Sequence, residues 1–444
     1  MSGYDARWDA SLQHHHYYQS SFRNLIDMTS KPPPLLVHVT SVPLVLWSFF
    51  AGQIAFMKRQ GFVVRAISSP GEYLDRFAVR EEIDVDAIEM PRRVTPVQDL
   101  ISLWRMFRKL RELRPTIVHA HNPKGGLIGI TAAFLARISG RVYTIHGLPY
   151  MTATGMRRRL LYWSERITCR LAQRVLCVSN SIREIAIADK LCAANKIAVL
   201  ANGTCNGIDA DGRFNRERQR KNQPQEPSLR EPLGIPANAV VMGFVGRIVR
   251  DKGLVELVTA WQQLREDFPD LHWLVAGTFE PQDPLPADIE QTLRSDDRIH
   301  LLGMLLDPIP AYLAMDLCVL PTYREGFPYV PIEAAAMGLP VVATRVPGCI
   351  DAVVDGHTGT LVPSHDAVSL GQAIQEYVRF SALREKHGQA GRARVLSQFQ
   401  PAQIWAALLN EYQHLPDVCG LPVETAKPLQ KAAHYSSESV VARL

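Results

Sequence analysis

The chain has 444 residues, with 47% hydrophobic and 21% charged side chains; that length suits two domains with tails, and that balance excludes a disordered, collagen-like or coiled-coil protein. The net charge of +5 is unevenly spread, since residues 1–210 carry an excess of 11 cations and residues 211–444 an excess of 6 anions. The N-terminal half is therefore expected to meet something anionic, whether a nucleic acid, a phosphorylated substrate or a membrane face.

Residues 1–33 are polar and read as a disordered tail without the apolar run of a signal peptide, so the chain is expected in the cytosol. His14, His15 and His16 form too short a tract to argue a metal site. Seven scattered cysteines, never arranged as C-x-x-C, indicate neither a disulfide scaffold nor a zinc ribbon. Residues 34–57 lack Asp, Glu, Lys and Arg and are long enough for a bilayer span. Pro43 and Gly52 interrupt them, however, and the better reading is a buried strand at 35–40 turning into a helix that ends near Arg59.

From there short apolar runs alternate with helical patterns, the signature of βαβ units and a parallel sheet. Strands are expected at 35–40, 62–67, 117–120, 141–145, 175–178 and 196–200, with an edge strand in the stretch ending at Ile88 and Met90. The turn Pro123-Lys124-Gly125-Gly126 follows a strand and opens a helix, so Lys124 and the Gly125 amide are expected to cradle an anion. A dinucleotide site is the rival there, but the glycine order is wrong and Tyr143 stands where an acidic residue belongs. His119 and His121 are expected on opposite faces of their strand, as poor joint ligands. His146 follows a short strand and should emerge at the carboxyl edge of the sheet, able to donate to a sugar hydroxyl or a developing charge. Residues 104–114 and 155–174 are basic and amphipathic, the latter with Leu160, Trp163, Ile167 and Leu171 on one stripe, and suit an anionic membrane face.

Residues 211–231 are polar, charged and Pro-containing, and residues 216–232 read as a linker between an N-terminal domain at 34–215 and a C-terminal domain at 233–398. Strands in the second domain are expected at 240–245, 272–276, 299–302, 317–320, 341–343 and 360–362. Residues 399–415 read as a final helix packing back on the N-terminal domain, and residues 416–444 as a second disordered tail. Two D-x-D triplets, at 84–86 and 209–211, stand apart from the phosphate motifs, and no metal is expected.

Two segments carry the chemistry. In VMGFVGRIVRDKG a buried strand ends at Gly246, followed by Arg247 and Lys252, two cations suited to a diphosphate. In REGFPYVPIEAAAMGLP, Pro331 suits the first turn of a helix that Gly338 and Pro340 end. Glu325 then falls in the loop before it and Glu333 in its first turn. A phosphate can sit at the Gly326-Phe327 turn, on the free N–H groups of the helix start, and the two carboxylates can accept hydrogen bonds from sugar hydroxyls.

The spacing G-R-x(4)-K-G and E-x(7)-E resembles the retaining GT-B glycosyltransferases, of the glycosyltransferase family 4-like kind that includes bacterial capsule, exopolysaccharide and lipid-linked oligosaccharide enzymes. The resemblance runs from about residue 35 to 415, through YTIHGLP, VLCVSNSIRE, VLANGTCNGID and VVATRVPGCIDAVVDGHTGTLVP. It implies an α/β architecture of two Rossmann-like doubly wound domains facing a cleft, the N-terminal one binding acceptor and the C-terminal one nucleotide-sugar, so that the anion expected at Lys124 and Gly125 becomes the pyrophosphate of a lipid-linked acceptor. By that likeness Arg247 and Lys252 hold the diphosphate, Glu333 the ribose hydroxyls, and Glu325 the transferred sugar, with the amides of Gly326 and Phe327 facing it. Gly52 falls where the family brings a loop close to the donor, with Ala-Gly in place of a common Gly-Gly, and His146 where it has an active-site histidine. The implied reaction is transfer of a hexosyl or N-acetylhexosaminyl group from a nucleotide diphosphate sugar, expected to be a UDP-sugar, with retention. No cofactor beyond the donor is implied, the acceptor is a lipid-linked or polysaccharide glycan, and the place is the inner face of the plasma membrane. A nucleotide-sugar epimerase of the same fold and a non-catalytic nucleotide-sugar-binding, membrane-associated protein are the alternatives.

Overall fold

The computed structural model describes residues 32–91, 93–222 and 229–415. Two parallel sheets organise them. The first contains β1 (Leu35–Val39), β2 (Val63–Ser68), β3 (Asp84–Ala87), β4 (Ile117–His121), β5 (Gly140–Ile145), β6 (Arg174–Cys177) and β7 (Ile197–Val199), in the order β3-β2-β1-β4-β5-β6-β7. The second contains β8 (Val240–Val245), β9 (Leu271–Ala276), β10 (Ile299–Gly303), β11 (Leu317–Leu320), β12 (Val341–Thr344) and β13 (Gly359–Val362), in the order β10-β9-β8-β11-β12-β13. Both are doubly wound. The order reverses between β1 and β4 in one and between β8 and β11 in the other, so each leaves a crevice beyond the carboxyl ends of those strands.

Continuous apolar runs form the central strands because helices cover both faces. In β9, for instance, Leu271, Trp273, Leu274 and Val275 are all buried, and Trp273 packs at 5.8 Å on the buried Trp261 of the helix Leu254–Asp267. The edge strand β3 differs: its Asp84 and Asp86 pair with Arg65 on β2 at 2.9 and 3.4 Å, and Asp86 also with Lys109. The charge-free stretch at 34–57 is β1 and the helices Pro43–Phe49 and Gln53–Arg59, broken at Gly52. Among the described residues no helix is long and apolar enough to cross a membrane.

Of the segment expected as a linker, residues 216–222 and 229–232 are described, and these ends are tied to the second domain. Ile208, Ala210 and Phe214 are buried in the C-terminal core, so the chain changes domain before residue 215. The helix Arg216–Asn222 follows, and Arg216 donates to the carbonyls of Leu313 and Met315 at 2.9 and 3.0 Å. Arg230 reaches the Ala314 and Ala239 carbonyls and pairs with Asp316 at 2.7 Å. A charge-rich sequence looked unable to bury itself, but guanidinium forks satisfying orphan carbonyls anchor it without apolar area. At the other end the helix Pro401–Gln413 returns to the first domain, where Ile404, Leu408 and Tyr412 share a core with Leu36, Ile54 and Phe62. The expected tails at 1–33 and 416–444 lie almost wholly outside the described residues.

Candidate active site

A cleft of about 440 Å³ opens between the domains, lined by His146, Gly147, Leu148 and Met151 from the first and by Arg247, Asp251, Lys252, Arg324, Glu325 and Gly326 from the second. Its walls are the loops that leave β5, β8 and β11. The domains touch at its floor: the Ser179 hydroxyl donates to the Gly326 carbonyl at 2.7 Å, and a Cβ added to Gly326 would stand 1.9 Å from the His146 carbonyl oxygen. Only glycine permits that approach. Beside it, Asp351 accepts from the amides of Asn180 and Ser181 at 3.1 and 3.3 Å and from the Ser181 hydroxyl, and Ser181 in turn accepts from the Gly348 amide at 2.8 Å. A carboxylate of one domain thus caps the start of the helix Asn180–Ala188 in the other, the favourable end of the dipole.

The C-terminal wall is ionic. Lys252 pairs with Glu325, Arg247 with Glu280 at 2.9 Å and Arg324 with Asp251 at 2.8 Å. Three cations converge, each held by a carboxylate that an incoming anion can replace, the Arg residues with forked donors and Lys252 as a point charge. Arg324, Asp251 and Glu280 had no role in the sequence reading. Arg324 was within reach, since it adjoins Glu325, whereas the partners Asp251 and Glu280 come from loops that meet only in space.

The E-x(7)-E carboxylates part company. Glu325 lines the cleft. Glu333 does not: its carboxylate accepts from the Tyr312 hydroxyl at 2.8 Å, and burial raises its pKa while that hydrogen bond opposes the rise. The expected first-turn position is corrected as well. The helix runs Tyr329–Ala336, two residues ahead of Pro331, so Glu333 falls in its second turn, because a proline fits any of the first-turn positions whose N–H is unused. Phe327 also leaves the cleft, buried against Phe399 at 5.4 Å between ring centroids.

The other expected residues lie elsewhere. Gly52 has φ 76° and faces Trp405 of the last helix, 2.7 Å from where its Cβ would be; its loop is tied to Asn206, which donates to the Ala51 carbonyl at 3.0 Å. The Lys124 ammonium is taken by Asp99 at 2.6 Å and the Arg93 carbonyl at 2.8 Å. The Gly125 amide donates to Asn122 Oδ1 at 2.9 Å, so this helix start is capped by its own side chain rather than left open to an anion.

The N-terminal wall is neutral and buried behind His146. His146 Nε2 meets His121 Nδ1 at 3.1 Å, and burial pushes His146 down to about 4. His119 and His121, expected on opposite faces, share one: their ring centroids are 4.1 Å apart. Residues two apart on a strand point the same way, and alternation separates only adjacent ones.

Two family models match the chain: a glycosyl transferase 4-like domain over residues 46–203 and the glycosyl transferases group 1 over residues 239–379. Among curated proteins, the chain is 33% identical over 372 residues to the Staphylococcus aureus capsular polysaccharide biosynthesis glycosyltransferase CapM, covering 84% of this chain and 94% of that one. It is 29% identical over 290 residues to the Escherichia coli UDP-Gal:alpha-D-GlcNAc-diphosphoundecaprenol alpha-1,3-galactosyltransferase, 64% of this chain and 71% of that one. Among solved structures, Anabaena Alr3699/HepE in complex with UDP and glucose superposes with TM-score 0.69 at 19% identity, covering 86% of this chain and all of that one. WaaG, a glycosyltransferase involved in lipopolysaccharide biosynthesis, superposes with TM-score 0.62 at 16% identity and comparable coverage. With both domains matched in order and the two-sheet architecture shared, this chain belongs to the family 4-like glycosyltransferases of GT-B fold.

Proposed function

We propose that the protein transfers a sugar, with retention at the anomeric carbon, from a UDP-sugar to a lipid-linked glycan in the assembly of a surface polysaccharide. The observation that carries this reading is the cleft that sets Arg247, Lys252 and Arg324 opposite His146, with Glu325 between them. Cations at the carboxyl ends of β8 and β11 suit the leaving diphosphate, whose charge grows in the transition state. Lys252 releases Glu325 as the diphosphate arrives, and Glu325 turns to the hydroxyls of the transferred sugar. The leaving oxygen takes the acceptor proton, so the reaction draws on no resident cofactor. The Staphylococcus relative, a capsular polysaccharide enzyme, supports the polysaccharide setting, and the Escherichia relative the UDP-sugar and the diphosphate-linked lipid acceptor. Glu333, whose carboxylate accepts from Tyr312 at 2.8 Å, is assigned the ribose hydroxyls of the nucleotide on the family likeness alone.

A lipid acceptor needs access from a membrane face, and a surface feature supports it. The helices Pro96–Leu113 and Gly155–Leu171 flank the helix Pro123–Leu135. On the second of them Leu160, Trp163 and Ile167 are 52%, 54% and 44% exposed, while Glu165, Thr168 and Cys169 are buried. The apolar stripe points outward, with Trp104 exposed on the neighbouring helix and Arg108 and Arg166 over the two indoles. Arginines around outward tryptophans suit an anionic headgroup layer.

The test is a thermal-shift titration with UDP, GDP, ADP and NADH beside Glu333→Ala, since a ligand of the native state raises its apparent stability. UDP stabilisation that the variant loses is the expected outcome, followed by NMR of the product anomer with a UDP-sugar and a diphosphoprenyl glycan. Stabilisation by NADH alone overturns the reading.

A further inference from the structure

Behind the cleft the first domain buries a line of histidines that the proposed reaction does not use. His38 on β1, His119 and His121 on β4 are within 3% of complete burial. His38 Nδ1 meets His121 Nε2 at 3.1 Å, and His121 Nδ1 meets His146 Nε2 at 3.1 Å, so the three rings form one hydrogen-bonded series ending at the cleft. His119 stands beside the series, its ring 4.1 Å from that of His121, with its two nitrogens taken by Thr144 Oγ1 at 2.7 Å and the Tyr412 hydroxyl at 2.6 Å. Tyr412 comes from the last helix, which thereby seals the series from behind.

A neutral imidazole carries one N–H and one bare nitrogen, so the tautomer of each ring dictates that of the next. Only two arrangements fill both hydrogen bonds. In one the N–H groups point from the cleft inward, leaving His38 Nε2 protonated; in the other they point outward, leaving it bare. That atom is buried and has no partner, and an orphaned buried N–H is the rarer and costlier case. Among the described residues no carboxylate bonds any of the four rings, and burial pushes His38 down to about 3, so none is held as the imidazolium. We propose that His38 and His121 are positioning residues whose outward chain of donation, His38 Nδ1 to His121 Nε2 and His121 Nδ1 to His146 Nε2, holds His146 as the tautomer with its N–H on Nδ1. Among the described residues that nitrogen has no hydrogen-bond partner, and it belongs to a residue lining the cleft, so His146 meets its ligand as a hydrogen-bond donor and not as a base.

A metal is the competing use of such a cluster, since ligand atoms of His38, His119 and His121 lie within 4.8 Å of one another. Both His119 nitrogens are already bonded, and His38 and His121 turn to each other, so the rings are satisfied as a hydrogen-bonded series.

The catalytic consequence rests on the proposed function, with His146 donating to a sugar hydroxyl or a developing charge. The test has two arms. Solid-state 15N NMR of ligand-free protein labelled at histidine, assigned with His146→Asn, is expected to show His146 protonated on Nδ1 alone, and in His121→Leu to show both tautomers. In turnover, His121→Leu is expected to lose about tenfold in kcat with the donor KM unchanged, and His121→Asn, whose amide keeps an N–H near the lost Nδ1–H, to recover most of it. Protonation of His146 on Nε2 in the wild-type protein, equal kcat in the two variants, or one equivalent of Zn2+ bound in a way that needs His38 would each overturn the proposal. Because the NMR arm uses no substrate, a wild-type protein with this tautomer but no transferase turnover would count against the proposed function and leave the histidine series standing.

Discussion

The two walls of the cleft come from sheets of the same winding, yet they are made in opposite ways. Behind the N-terminal wall, β1, β4 and the end of β5 bring together neutral rings, three of which are hydrogen-bonded in series. On the C-terminal wall, the loops after β8 and β11 present charges satisfied pairwise by carboxylates, half open to solvent in the case of Arg247. The difference teaches a division of labour. A buried hydrogen-bonded array has one arrangement and holds a donor in place, whereas a half-exposed pair such as Arg247–Glu280 is weak and screened, and the more sheltered Lys252 and Arg324 can exchange their carboxylates for a diphosphate that offers the same charge-assisted hydrogen bonds.

The largest break in that comparison is expected where the walls touch. Gly326→Ala puts a methyl against the His146 carbonyl and must move one wall off the other. A drop in kcat/KM of about 100-fold is expected from a displacement near 1 Å, with a stability loss of about 1–3 kcal/mol from overpacking, measured by turnover and urea unfolding. Next comes the ionic wall: Lys252→Met is expected to raise the donor KM by about tenfold or more, the worth of one charge-assisted hydrogen bond, while Arg247→Lys has the smaller effect because that side chain is already half exposed. Steady-state kinetics with varied nucleotide-sugar separate the two.

Acid sharpens the contrast. The buried histidines are held far below their ordinary 6.5, His146 at about 4 and His38 at about 3, so between those values the unfolded chain binds protons that the folded one refuses. Stability is therefore expected to be fully present above pH 6.5 and to fall steadily as pH drops toward 4. His38→Phe should flatten that slope in a melting series, and Lys252→Met should leave it unchanged. The smallest effect is expected at the outward indoles: Trp104→Ala with Trp163→Ala should leave the melting temperature within a degree or two and reduce sedimentation with anionic vesicles severalfold, an outcome that equal sedimentation would contradict.

The legible part of the site was its C-terminal wall. Arg247, Lys252 and Glu325 lie close to strand and helix punctuation that apolar runs, Gly246 and Pro331 announce, and they meet in the cleft as expected. Glu333 was legible as a residue but not as a place, since the helix begins two residues early and its carboxylate is bonded to Tyr312 from another helix. The Lys124 turn had the composition of an anion cradle, and what closed it was Asn122 and Asp99, one an internal cap and the other from a helix 25 residues earlier in the chain.

By itself the sequence determined what is local or periodic: the strand and helix alternation, the two doubly wound halves, the family motifs and the uneven charge. Apolar period and turn chemistry act within a few residues, which is why they survive without a structure. Tertiary structure decided the pairings. Which carboxylate holds which cation, that Arg216 and Arg230 grip the second domain, that Leu160 and Trp163 face out while Glu165 faces in, and that His38, His121 and His146 stand in line all depend on strands and loops far apart in the chain. Parallel sheets bring such residues together through crossovers, and sequence distance carries no trace of it.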